Sequence, residues 1–207
     1  EPIEGLKLRS TVGAKLAYWG YKSFTPVSYL NAATIVNQNN ISRGTNRGLG
    51  WNLENTISYS KKIKDHNFSV LLGQGVYADN ITFGESVTYY DIPVDNYSDA
   101  SFNFSVPQEQ INASSYEGVE HRVTSLFSRL TYDFDEKYLL TAIFRRDGSS
   151  RFGSNNKFGF FPSFSAGWVP SREEFWNDND VVNQLKIRGG FGVTGSDNIG
   201  DFQYLST

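Results

Sequence analysis

The stretch WNLENTISYSKKIKDHNFSVLLGQGVY, residues 51–77, decides how the chain is read. In its first ten residues the odd positions include Trp51, Leu53, Ile57 and Tyr59, and every even position is polar. Successive side chains of a strand point to opposite faces, so the pattern predicts a strand with one apolar and one polar face. The short segment KKIKDHN then turns the chain into a second predicted strand, Phe68 to Tyr77.

The same alternation recurs on both sides. In GLKLRSTVGAKLAYW one parity carries Leu6, Leu8, Val12, Ala14, Leu16 and Tyr18, and the other Lys7, Arg9, Thr11 and Lys15. In LKIRGGFGV, Leu185, Ile187, Phe191 and Val193 face one way, against Lys186 and Arg188. Val123 to Phe134, Tyr138 to Arg146 and Phe158 to Trp168 complete about seven predicted strands. One segment argues for helix: SREEFWNDNDVVNQ, with Ser171 as a candidate N-cap and Glu173 and Glu174 in its first turn.

The connections alternate in length. Gly20 to Gly50 and Ala78 to Arg122 are long and polar, whereas KKIKDHN and DEK are short. Compact soluble domains seldom carry two such long structureless loops. An outer-membrane barrel has long outer loops and short periplasmic turns. Aromatics also gather at strand ends. Tyr59, Phe68, Tyr132, Phe134 and Tyr138 flank the short turns, and Trp19, Trp51, Tyr77 and Phe158 lie near the long loops. Two such bands are what a bilayer interface selects. A soluble β-sandwich with an aromatic core remains the competing reading.

Composition bounds the rest. The chain has 207 residues, 15% aromatic, with a net charge of −3 that gives no general attraction to nucleic acid. It has no cysteine, which excludes disulfides and thiolate chemistry. It has no methionine and begins Glu1-Pro2-Ile3, from which we expect a piece of a larger protein. No apolar run reaches the length of a membrane-crossing helix, but barrel strands need only about 9–11 residues.

Catalytic signals are absent. His66 and His121 lack metal-ligand spacing, and His66 reads as a solvated turn residue. There is no GxSxG elbow. No cofactor, metal or catalytic residue is expected, and scattered carboxylates do not identify a hydrolase pair. RRDGSSRFG lacks P-loop spacing, and Asp147-Gly148 reads as a turn dipeptide. Arg145, Arg146 and Arg151 are candidates for an anionic lipid head group or for carboxylate partners. The segment from Ala78 to His121 holds Asp91, Asp95 and Asp99 without calcium-loop spacing, so they read as solvated charge. Its rings Tyr89, Tyr90, Tyr97, Phe102, Phe104 and Tyr116 are candidate contacts for a sugar or peptide.

Residues 135–176, DEKYLLTAIFRRDGSSRFGSNNKFGFFPSFSAGWVPSREEFW, and residues 185–206, LKIRGGFGVTGSDNIGDFQYLS, resemble the SusC/RagA family of TonB-dependent outer-membrane transporters of Bacteroidota. The marks are Tyr138 to Ala142 leading into Arg146, Asp147, Gly148, Ser149, Ser150, Arg151, Phe152 and Gly153, then Phe161-Pro162-Ser163 and Gly192-Val193-Thr194-Gly195. The match is looser but order-preserving in GLKLRSTVG and in residues 51–74.

The resemblance implies an all-β, antiparallel up-and-down transmembrane barrel, of which residues 1–207 would form part of the barrel domain. The plug and the TonB box would lie outside this chain. It further implies import of oligosaccharides or peptides across the outer membrane of a Gram-negative bacterium. The partners would be a SusD-like surface lipoprotein, TonB and outer-membrane lipid. The polar parity, Lys7, Arg9, Lys15, Glu54, Arg129, Lys186 and Arg188, would line the barrel wall, and the apolar parity would face lipid. The alternative is a soluble or surface-exposed β-sandwich that binds glycans through the loop rings.

Overall fold

The computed structural model describes residues 3–31, 34–176 and 182–201. It contains β1 (Leu6–Thr25), β2 (Ser28–Asn31), β3 (Thr34–Val36), β4 (Asn40–Ile63), β5 (His66–Tyr90), β6 (Ile111–Glu117), β7 (His121–Phe134), β8 (Tyr138–Ser149), β9 (Phe158–Phe160), β10 (Ser163–Trp168) and β11 (Ile187–Gly192). One sheet runs in the order β1-β4-β5-β7-β8-β10-β11, with β6 against β5 and β9 against β8; β2 and β3 form a separate hairpin. Each main strand pairs with the next main strand along the chain. That is the up-and-down order the resemblance implied.

The seven expected strands are present, and three are far longer than the apolar alternation marked. β1 continues to Thr25, β4 starts at Asn40 and β5 reaches Tyr90. Most of what read as long polar loops is therefore strand. Asn, Ser, Thr and Gly signal turns in short windows, but pairing supplies each backbone group with a partner whatever the side chain. At 25 residues, β5 well exceeds the about 9–11 that cross a bilayer.

The helix expected over residues 171–184 is not seen where the structure describes it. Pro170–Arg172 form a single 3-10 turn capped by Val169, and the Ser171 hydroxyl donates to the Leu185 carbonyl at 3.2 Å. Residues 177–181 lie outside the described residues. The connection 169–186 is also longer than the two other turns at that end of the strands, 64–65 and 135–137.

The chain divides into two compact units. The first comprises Glu1–Gly13, Trp51–Ala78 and His121–Thr207, and the second Ala14–Gly50 and Asp79–Glu120.

In the first unit the register separates the two faces. Leu126 pairs with Arg146, Leu130 with Ala142, Tyr132 with Leu140 and Phe134 with Tyr138. Phe164 pairs with Ala142 and with Phe191, and Trp168 with Tyr138 and Ile187. Phe160 pairs with Arg146 and Phe158 with Gly148. Paired residues share a face, so one face is mainly apolar and aromatic, interrupted by Thr124, Ser128 and Arg146. The opposite face is mixed: it carries Ser125, Arg129, Thr131, Asp133, Arg145, Asp147 and Arg188 among Val123, Phe127, Leu139 and Ile143. Arg129 and Arg188 thus lie on the polar side, as expected. The apolar face is open: Phe160 and Phe191 are both 69% exposed. At about 25 cal/mol per Å² such a surface is costly in water and suited to lipid.

At the short-turn end the aromatics form a band with satisfied polar tips. His66 is half-buried and stacks on Phe68 and Tyr132, and its Nδ1 lies 2.8 Å from the Tyr132 hydroxyl. It is the first residue of β5 and not a solvated turn residue, because its ring completes this cluster. The Tyr138 hydroxyl and Trp168 Nε1 both donate to Glu173, at 2.6 and 2.9 Å. These hydrogen bonds, Tyr138's first, hold the Glu173 carboxyl below its usual value. The β7–β8 turn has Asp135 and Glu136 at φ 49° and 53°, with Lys137 N bonded to the Phe134 carbonyl at 2.8 Å. Positive φ at both central positions marks a type I′ turn, reached here without glycine.

The second unit has an interior of its own. Ile41, Ile92 and Ala100 are buried, and Phe24, Tyr89, Val94, Phe102, Phe104 and Val106 pack on them. Buried Asn39 holds this arrangement. Its Nδ2 donates to the carbonyls of Ile92 and Val94, each at 2.9 Å, and its Oδ1 accepts the Ile92 amide at 2.8 Å. Asn39→Ala leaves those groups without their partner. We expect the Ile92 amide to exchange about 10- to 100-fold faster, the scale of an unsatisfied buried group, with β8 amides unchanged. Hydrogen exchange on the full-length protein measures this.

Candidate functional site

Two grooves in the second unit share Arg43 and Thr45 of β4. One, of about 510 Å³, is also lined by Gly20, Tyr21, Lys22, Ala100, Phe102 and Asn103. The other, of about 580 Å³, adds Glu85, Ser86, Val87, Ala113, Ser114 and Ser115. β4 and β5 place Arg43 and Glu85, and β6 lays its serines along β5, with Ser114 opposite Ser86. The Ser86 and Ser114 hydroxyls are 2.9 Å apart. Lys22 is fixed: its ammonium donates to the Ala100 carbonyl at 2.7 Å and sits 4.8 Å from the Tyr97 ring centre. No side-chain ion pair or hydrogen bond of Arg43 occurs among the described residues. Arg43 is exposed on the strand that lines both grooves.

The six expected contact rings divide. Tyr89, Phe102 and Phe104 pack into the unit's interior, Tyr89 edge-on to Phe102 at 5.1 Å. Tyr90 is half-buried at the end of β5. Tyr97 and Tyr116 keep exposed faces, and the Tyr116 hydroxyl donates to Asn46 at 3.1 Å. The loop's own core thus takes most of the aromatic surface that the sequence made available. The groove residues Lys22, Arg43 and Glu85 carried no motif; only their position on extended strands brings them together.

The signature loop is a clasp. Asp147 and Gly148 lie within β8, paired with Gly159 and Phe158, so they are not the turn their dipeptide signals. Gly148 is needed for close approach, since a β-carbon there would strike the Phe158 ring. Buried Ser149 lies 3.3 Å from His121 Nε2, and its hydroxyl accepts the Arg151 amide at 3.2 Å. His121 Nε2 also lies 2.8 Å from Asp197. Arg151 donates to Asp201 at 3.2 Å and to the Asp197 carbonyl at 3.3 Å. The Ser150 hydroxyl accepts the Arg122 amide at 3.0 Å. Phe152 N donates to the Ser149 carbonyl at 3.4 Å, and Gly153 precedes a 3-10 turn, Ser154–Asn156. The loop ties the end of β8 to residues 197–201 and cradles no phosphate geometry. Among the described residues no cluster of three metal-ligating side chains occurs.

Curated relatives were found for nearly the whole chain. TonB-dependent receptor P39 of Formosa agariphila is 31% identical over 203 residues, 98% of this chain and 19% of that protein. Receptor P26 of the same organism is 32% identical over 98% of this chain and 20% of its own length. TonB-dependent receptor SusC of Bacteroides thetaiotaomicron is 32% identical over 153 residues, 72% of this chain and 14% of SusC. Among solved structures, the RagAB peptide transporter superposes with a TM-score of 0.76 at 23% identity, covering 97% of this chain and 22% of that one. The RagAB peptide importer in its closed-closed state gives 0.80 at 22% identity, over 98% of this chain and 22% of that one. The chain spans about a fifth of the length of P39 and P26. No protein-family profile matches it.

The clasp generates a pH prediction. Burial disfavours the Asp197 carboxylate, but hydrogen bonds from Ser149 and His121 and the attraction of His121 outweigh it, so its pKa is lowered. A lowered folded value gives stability that is present above the ordinary carboxylate range, near pH 4, and lost as pH falls through the folded value. Protection of amides 197–201, measured against the intrinsic exchange rate at each pH, should therefore fall in acid. Asp197→Asn should lower that protection about two- to fivefold at neutral pH, the scale of a partly exposed pair, and flatten the acid response.

Proposed function

Because this chain belongs to the SusC/RagA family of TonB-dependent receptors, we propose that it supplies consecutive wall strands of an outer-membrane importer. The importer works with a SusD-like lipoprotein and takes energy through TonB, the latter by way of a segment not in this chain. The observation that carries the reading is the division of faces across β7, β8, β10 and β11: one side is mainly aromatic and aliphatic, and all the charged side chains of these strands except Arg146 lie on the other. A membrane wall requires that division. The soluble sandwich needs a second layer over the apolar face, and the exposure of Phe160, Phe191 and Ile187 supports no such layer.

For the cargo, groove chemistry favours a peptide over a neutral oligosaccharide. Arg43 and Lys22 suit carboxylates and carbonyls, and Glu85 suits amines. Stacking platforms for sugars are few, because Tyr89, Phe102 and Phe104 are used in packing. Residues 1–207 are one portion of the barrel domain in this reading, and its role is passage rather than catalysis.

Spin labels placed singly from residue 185 to 193 of the full-length protein should alternate between lipid and water accessibility. Uniform accessibility would sink the wall assignment. Arg43→Ala combined with Glu85→Ala should lower uptake of a peptide mixture about tenfold or more, the scale of two lost charge-assisted contacts. The amount of protein in the outer membrane should not change. Undiminished peptide uptake, with loss of oligosaccharide uptake instead, would reverse the cargo assignment.

A further inference from the structure

Three arginines cluster in the signature stretch, and two have carboxylate partners. Arg145 Nε donates to both Asp147 oxygens, at 2.9 and 2.6 Å, and its Nη2 donates to Ser125 at 3.0 Å. Arg151 is held by Asp201 and the Asp197 carbonyl. Arg146 differs. Among the paired residues of β7–β11 it is the charged one on the mainly apolar face, in register with Leu126 and Phe160. Its guanidinium carbon lies 3.8 Å from the Phe158 ring centre and 5.8 Å from that of Phe160. No carboxylate pairs with it among the described residues.

A guanidinium on a lipid-facing surface is costly, more so toward the bilayer centre than near its edge. The Phe158 ring offsets part of this from one side. Its N–H fork still requires acceptors, and the fork's geometry matches a phosphate. Beside it runs a mainly apolar groove of about 640 Å³, lined by Leu72, Leu126, Phe144, Phe160 and Pro162 together with Ser128, Arg146 and the Asp147-paired Arg145. A cation at the side of an apolar groove complements a molecule with an anionic head and a hydrocarbon tail.

We propose that Arg146 and this groove bind a phosphorylated lipid of the outer leaflet, the phosphate on the guanidinium and an acyl chain along Leu126, Phe144 and Phe160. The leaflet follows from the strand. Tyr138, at one end of β8, adjoins the short turn 135–137, while the Arg146 end leads into the longer connection at 150–157. Barrels place short turns in the periplasm and longer loops outside. The proposal rests on the membrane-wall reading above.

The test uses full-length protein purified from the outer membrane, stripped of lipid in mild detergent, and native mass spectrometry. The probes are dioleoyl phosphatidic acid, dioleoylglycerol with the same chains but no phosphate, and inorganic phosphate alone. The wild type should retain phosphatidic acid about tenfold better than dioleoylglycerol, the scale of one charge-assisted contact, and show no comparable uptake of inorganic phosphate. Arg146→Gln should remove the preference, and Arg146→Lys should keep part of it, with unchanged melting in lipid-free detergent. Equal retention of both lipids by the wild type overturns the proposal without using any variant. So does a preference that survives in Arg146→Gln, or one satisfied by inorganic phosphate alone. A protein that reaches the outer membrane but shows no preference defeats this inference and leaves the wall reading intact. Failure of the spin-label alternation defeats both.

Discussion

A strand turns each side chain away from its neighbours, and in this sheet that alternation decides what every surface can touch. Hydrocarbon offers no hydrogen bonds, so each backbone donor and acceptor that enters it must be satisfied by an adjoining strand. The long ladder from β7 through β8 and β10 to β11 meets that demand. With the backbone satisfied, side-chain parity divides the chemistry: Phe144, Phe164 and Phe191 on one face, Arg129, Asp147 and Arg188 on the other. A one-residue slip would move Arg129, Asp147 and Arg188 onto the mainly apolar face, so the pairing that satisfies the backbone also fixes the register.

The strand ends settle depth. At the short turns, His66, Phe68, Tyr132, Phe134 and Tyr138 hold apolar rings against one another. The hydroxyl of Tyr138 and the indole of Trp168 both reach Glu173. Such residues suit a boundary because one end prefers lipid and the other prefers water. Toward the other end of β8, Arg146 against Phe158 meets the same conflict with a cation in place of a hydroxyl.

The second unit follows a different economy. Its strands extend beyond the length that a bilayer requires, and its interior is small, so a single polar side chain has large consequences. Asn39 supplies three hydrogen bonds to the segment at Ile92 and Val94. The rings that seemed free for a ligand are largely spent on Ile41 and Ala100. The groove beside that interior is lined by polar groups: Arg43, Glu85 and a row of serines.

The sequence by itself determined the strand faces, the short turns and the family, because alternation over ten residues and a dense signature are local properties. It placed Phe158, Phe160, Phe164 and Trp168 on one side, and the register agrees. It misread Asp147-Gly148 as a turn and most of residues 20–50 and 78–122 as loop. Turn propensity is also local, whereas strand pairing depends on a partner distant in the chain. Only the tertiary structure decided that Ser149 and His121 meet Asp197, that Phe102 is interior, and that Arg146 lies against Phe158 on the mainly apolar face. Each of those outcomes depends on which strand lies alongside, and no window of sequence contains that neighbour.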